Sequence, residues 1–403
     1  MTIPTATTIP TAMTQALAKC RPLLCAAVGV LSTLGVLSLT HVGPAQAQSP
    51  GVNLAALVAQ VNTLKAQVAT LQQKTAPLSV SGTPGTFPAT LSITGVNVQV
   101  VSGLGSTNDG GTLSGLGNLI IGYNALGNNR GAGDVRTGSH NLILGDRNNY
   151  SSFGGLAAGF DNAISGQYAS VSGGVRNTAS GPVASVSGGN NNTASGFYAS
   201  VSGGTLNAAT NFEASVSGGQ GNTASGQYAS VSGGQGSTAS GQDASVSGGQ
   251  DNTASYYYSS VSGGNQNMAS GNYASVSGGQ DNTASNNYSS VSGGQFNIAS
   301  GQEASVSGGQ FNTASYYDSS VSGGNNNTAS GQYASVSGGG GNTASALYAS
   351  VSGGGGNTAS DFSSSVSGGY ENTASGLFAS VSGGLSLTQN TDYGWTGGTF
   401  HTL

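Results

Sequence analysis

The hydrophobic pattern changes three times along the chain, and each change predicts a different element. The first pattern is an apolar run from Leu23 to about Leu39, preceded by Lys19 and Arg21 and followed by Ala45-Gln46-Ala47. Positive charge, apolar run and A-x-A site together predict an export signal over residues 1–47, cleaved near Ala47. Cys20 and Cys25 both fall inside it, so the exported chain has no thiol for disulfides or metal sites.

The second pattern is a heptad. Leu54, Leu57, Val61, Leu64, Val68 and Leu71 are spaced alternately by three and four residues. That seam predicts a short coiled coil over residues 52–76, with Pro77 ending it. Three heptads are marginal alone, so the seam predicts self-association. Residues 77–117 read as a β-rich connector.

The third pattern is alternation with a fixed period. From Ser170 onward Ser-Val-Ser-Gly-Gly returns every 15 residues, with its Val running from Val171 to Val381 in fifteen copies. Asn follows Val by six residues in thirteen of the fourteen units that continue, and Ser237 replaces it once. A constant period means one supersecondary unit per repeat, each stacked on its neighbours. Gly-Gly in every unit excludes long helices. The unit therefore predicts one coil of a parallel β-solenoid, built from a Tyr-Ala-Ser-Val-Ser strand, a Gly-Gly turn and an Asn-Thr-Ala-Ser strand. About 15–18 such coils would span residues 118–384. Residues 118–169 form degenerate coils with a loop near Asn128–Thr137, residues 170–384 the regular array, and residues 385–403 an aromatic cap.

Facing follows from what each position accepts. The residue three before Val is Tyr168, Tyr198, Tyr228, Tyr258, Tyr273, Tyr288, Tyr333 and Tyr348, but also Glu213, Asp243, Glu303 and Asp318. A position that takes both Tyr and carboxylates faces solvent, which turns Ala169 and Val171 inward. The residue seven after Val is usually Thr but becomes Ala208, Met268 and Ile298, which reads as a buried position. Because the Ala after it never changes within the repeats, both faces of that strand look restricted, one filling the coil and the other meeting a partner chain.

Composition explains the thinness of such a coil. Of 403 residues 70 are Gly, and only 21 carry charge. That leaves no thick Leu/Ile/Phe core, so Ala and Val must fill a narrow interior. Residues 177–403 carry nine acids and no Lys or Arg, which argues against nucleic acid as a partner. Arg130, Arg136 and Arg147 form the one basic cluster, expected to pair locally with Asp134 and Asp146. The exported chain has only His140 and His401, and no Ser-His-Asp set, metal-ligand spacing or phosphate loop is evident. No cofactor is expected.

Ser170-Val171-Ser172-Gly173, Thr178-Ala179-Ser180-Gly181, and above all Asn118-Leu119-Ile120-Ile121-Gly122 and Asn141-Leu142-Ile143-Leu144-Gly145, resemble the 14-residue repeat of trimeric autotransporter adhesin heads. The resemblance covers about residues 118–384. It implies a left-handed β-roll, a homotrimer, and binding to host matrix or cells. The chain departs from the family in its 15-residue unit, its coil ahead of the head, and a tail after Gly384 that reads as a cap instead of a membrane anchor. The expectation is an exported, non-catalytic adhesive protein with no membrane span, secreted or at the cell surface. Its partners would be itself and extracellular protein or carbohydrate, bound through the exposed Tyr column. Two other classes are weaker expectations: an ice-binding solenoid using Thr-Ala-Ser ladders, and a polysaccharide-active enzyme centred on residues 119–160.

Overall fold

The computed structural model describes residues 54–82, 89–128 and 133–398. The chain divides at Asn97 into two compact units.

The first unit contains helix α1 (Leu54–Thr75) and a hairpin of β1 (Leu78–Ser81) with β2 (Thr90–Ile93). No residue of α1 is buried, and the seam from Leu54 to Leu71 lies exposed in the single chain. Among the described residues, no helix is long and apolar enough to cross a membrane.

The second unit is an all-β parallel solenoid of about 17 coils. β3 (Leu119–Ile121), β4 (Leu142–Asp146) and β6 (Leu156–Phe160) begin one parallel ladder, which the Ser-Val pairs continue. β5 (Asn149–Tyr150) and β7 (Ala163–Ile164) begin a second, which the Thr-Ala pairs continue. In each regular coil only Ser-Val and Thr-Ala are strand, shorter than the sequence pattern predicts. Tyr168 stands at φ +57° and its counterparts are similar, so the predicted first strand begins with a left-handed corner. A third ladder of single-residue bridges, Val175 to Asn190 to Thr205 and onward, runs between the two strand ladders. The pattern did not reveal it, because one paired residue leaves no alternation.

The interior is as narrow as composition requires. Val171 through Val381 are at most 1% exposed, and the Ala or Ser two residues before each of them and the Ala eight residues after, up to Ala374, are fully enclosed. The Thr column, read from sequence as buried, faces outward: Met268 is 39% and Ile298 40% exposed. Ala179 and its equivalents alone fill the second strand's inner side.

Buried Asn residues join the coils. Asn192 Oδ1 accepts the backbone N–H of Asn207 at 3.0 Å, while Nδ2 donates to the carbonyls of Gly188 and Gly204, both at 2.9 Å. Both amide protons and the carbonyl oxygen are thus used, which is what burying an amide demands. Ser237 interrupts this ladder, accepting from the Asn252 N–H at 3.4 Å.

Leu142 pairs with Leu156, and Leu156 with Ser170, so that Ala157 stands beside Val171. Ile143 and Ala157 are the inward residues, fully buried. Since Phe160 bridges Val175, the residue added to the 14-residue coil enters between Val171 and Gly174. Residues 385–396 form a further coil, with Thr388-Gln389 paired to Thr373-Ala374 and Trp395-Thr396 to Ser380-Val381. Phe400 lies outside the described residues, as do residues 1–47 and Arg130.

Candidate functional site: an aromatic ridge and a buried serine–aspartate–histidine cluster

The tyrosine column stands at a corner where the backbone turns left-handed, and all eight predicted tyrosines are exposed, from 39% at Tyr333 to 54% at Tyr168 and Tyr288. Parallel in-register stacking places equivalent side chains one coil apart, about 4.8 Å. Tyr258 and Tyr273 accordingly stack at 4.8 Å, Tyr273 and Tyr288 at 5.1 Å, and Tyr333 and Tyr348 at 5.1 Å. Sequence reading missed a second column, one residue earlier, which interleaves with the first. Phe212 sets its edge against Tyr198 and Tyr228 at 6.0 and 5.6 Å, and Phe153 does so against Tyr168 at 5.2 Å. Tyr317, Tyr333, Tyr348, Phe362, Phe378 and Tyr393 make a continuous ridge over the last coils. The signal was present as scattered Phe and Tyr adjacent to the regular column.

Two columns share the left-handed conformation, and their residue choices differ. The one five after Val includes Gly221, Gly236, Gly341 and Gly356, which relieve the strain. The Tyr column contains neither Gly nor Asn and includes β-branched Val183. A side chain at φ > 0 costs roughly 1–2 kcal/mol. Aromatic contacts worth about 0.5–1.5 kcal/mol beyond their buried area offset that cost where rings stack.

The acidic members sit within the ridge. Asp243, followed by Tyr273, holds the Tyr258 phenol above its ordinary range; Glu303, followed by Asp318, does the same to Tyr317. Hydroxyls and amides make up much of the remaining outer surface of the regular coils. Gln310 Nε2 donates to Gln295 Oε1 at 3.0 Å and Gln295 to Gln280 at 3.2 Å, a short amide ladder along the third bridge line. Phe296 and Phe311 stack at 5.0 Å close in sequence to Ile298, an exposed apolar patch in that otherwise polar face.

A second cluster lies at the start of the solenoid. Asp109, its side chain fully enclosed, accepts from the hydroxyls of Ser102, Ser114 and Ser139 and from the Ser114 N–H. These bonds, led by the Ser102 hydroxyl, hold its carboxyl far below the usual range. His140 Nδ1 lies 3.9 Å from Asp109 Oδ1, and a cavity of about 370 Å³ opens beside Ser102 and His140. Serine, histidine and aspartate do meet here, although no such set was evident from spacing. The geometry differs from a proton relay: the Ser102 hydroxyl donates to Asp109, and His140 Nε2 accepts the Ser102 backbone N–H at 3.1 Å. The cluster ties residues 102–114 to the first coils.

The basic cluster is also partly corrected. Arg136 lies 3.5 Å from Asp134, whose carboxylate is held low mainly by the N–H groups of Gly127 and Asn128. Arg147, however, lies over the Phe160 ring at 5.3 Å, while Asp146 accepts the Ala125 N–H. No family model matches the chain, and no curated protein matches it.

Proposed function

We propose that this is an exported, non-catalytic structural and adhesive surface protein, whose rigid solenoid presents a repeated aromatic and hydroxyl surface to cells, matrix or polysaccharide. The observation that carries this reading is the exposed ridge, aromatic in most coils at a backbone position that favours Gly or Asn. Many weak equivalent contacts on one rod supply avidity without a strong single site. The uncovered seam from Leu54 to Leu71 supports a coiled coil between copies. Resemblance to trimeric autotransporter adhesin heads supports three chains and a left-handed roll. The partners would then be further copies of the chain and extracellular protein or carbohydrate. The apolar run and A-x-A site support secretion or surface display.

The test is to measure the solution mass of the purified exported chain and its binding to cells, matrix proteins and polysaccharides. The reading expects a trimer that binds at least one of these. A monomer that binds none overturns it.

The outward Thr-Ala-Ser column supports a second reading, ordering of water at an ice surface. Thr178, Thr193, Thr223 and their equivalents stand in parallel register on one face. Thermal hysteresis at micromolar protein tests it, and its absence removes this reading.

A further inference from the structure

The corner that follows each Thr-Ala strand carries Gly in most coils, including Gly226 and Gly241, but Asn211 and Tyr256 at either side of that pair. The consequence is a groove of about 320 Å³ with a glycine floor and walls at both ends. Asn211 and Tyr256 are three coils apart, roughly 14 Å at the parallel-sheet spacing. The floor cannot be filled without a backbone shift, because a Cβ on Gly226 would lie 1.9 Å from the Gly241 carbonyl oxygen and one on Gly241 2.0 Å from that of Tyr256. One wall is pinned, since Asn211 Nδ2 donates to the Ser225 carbonyl at 3.0 Å.

The lining is uncharged throughout. Gln227, Gln242, Ser225 and Ser240 all line it. Tyr256 and Tyr257 meet edge to face at 5.3 Å, so their rings present faces in two directions at the closed end. Small-ligand pockets begin near 300 Å³ and combine aromatic surface with a few fixed polar groups. Amides and hydroxyls repeated one coil apart suit a ligand that itself repeats donor–acceptor hydroxyls. A ring face suits the C–H face of a pyranose.

We propose that this groove is a binding subsite for a short neutral oligosaccharide, with Tyr257 stacking on one sugar and Gln227 and Gln242 bonding to its hydroxyls. The proposal rests on the adhesive reading and names a ligand class for it.

Calorimetric titration of the full chain with maltotetraose, cellotetraose and chitotetraose as neutral probes, and tetragalacturonate as the anionic one, tests it. At least one neutral probe should bind at one site per chain and more tightly than tetragalacturonate. Gln242→Ala and Tyr257→Ala should each weaken that binding about tenfold, the upper range for one polar contact. Gln332→Ala, at the equivalent place in a later coil, should leave it unchanged. No binding of any neutral probe at millimolar concentration, or binding that survives both groove substitutions, overturns the subsite. If the chain still adheres to cells or matrix, the adhesive reading stands and only the groove falls. If it adheres to nothing, both fall.

Discussion

Ser289 Oγ accepts the backbone N–H of Asn286 at 3.1 Å and returns a hydrogen bond to its carbonyl at 2.7 Å. The same pairing joins Ser259 to Tyr256 and Ser319 to Tyr316, and Ser364 likewise accepts the Asp361 N–H. At all four corners the residue three before Ser is not Gly. Where that residue is Gly, as at Gly226 and Gly331, the corner N–H donates to a carbonyl of the following coil, that of Ala239 or Ala344, and the enclosed position holds Ala. A side chain at the corner shifts the backbone, and the serine hydroxyl takes up the amide. Ser289→Ala is therefore expected to cost about 1 kcal/mol, seen as faster amide exchange at Asn286. Ala214→Ser, behind Asn211, should stabilise its coil by a similar amount.

The asparagine ladder gives a sharper contrast. Asn282 makes three hydrogen bonds through its side chain, and Asn282→Ala should cost about 3 kcal/mol at roughly 1 kcal/mol per bond. Ser237 cannot supply the two amide protons, so Ser237→Asn should raise the melting temperature. Because coils contact mainly their neighbours, the gain should be concentrated in exchange protection around residues 222–252.

The two glycines of each Gly-Gly pair are not equivalent. A Cβ on Gly188 meets nothing within 4 Å, whereas one on Gly189, at φ +88°, would lie 2.2 Å from the Gly204 carbonyl oxygen. Gly188→Ala should be close to neutral. Gly189→Ala combines left-handed strain with a backbone clash and should cost more than about 3 kcal/mol, a difference that parallel thermal melts of the two variants would measure.

Asp109 makes the start of the solenoid sensitive to acid. Its folded-state ionisation lies below that of a free carboxylate, so the cluster contributes stability above about pH 4 and loses it as pH falls through the lower folded value. The amide protection factor of Ser114 should fall between pH 5 and pH 2. Asp109→Asn should start lower and show little dependence over that range.

The regular array was legible because each requirement recurs: Val and Ala inward, Gly at one forced corner, Asn between coils. The ridge was half legible, since its regular Tyr column shows a period while the interleaved Phe212, Tyr317 and Phe362 do not. Asp109 and His140 were not legible as a site. Their partners Ser102, Ser114 and Ser139 come from segments without a repeat, where only the fold sets proximity. The first-strand boundary was misplaced because Tyr168 and its equivalents adopt a left-handed corner that residue type alone does not suggest.

The most direct test of the adhesive account is binding of the full chain to cells, matrix and polysaccharide before and after Tyr258, Tyr273 and Tyr288 are replaced together by Ala. Replacement of Ser262, Ser277 and Ser292 on the same coils serves as the matched control. The account predicts that adhesion is lost in the tyrosine variant and kept in the serine variant, with both retaining the β-sheet signal of the parent. Undiminished adhesion by a folded tyrosine variant would contradict it.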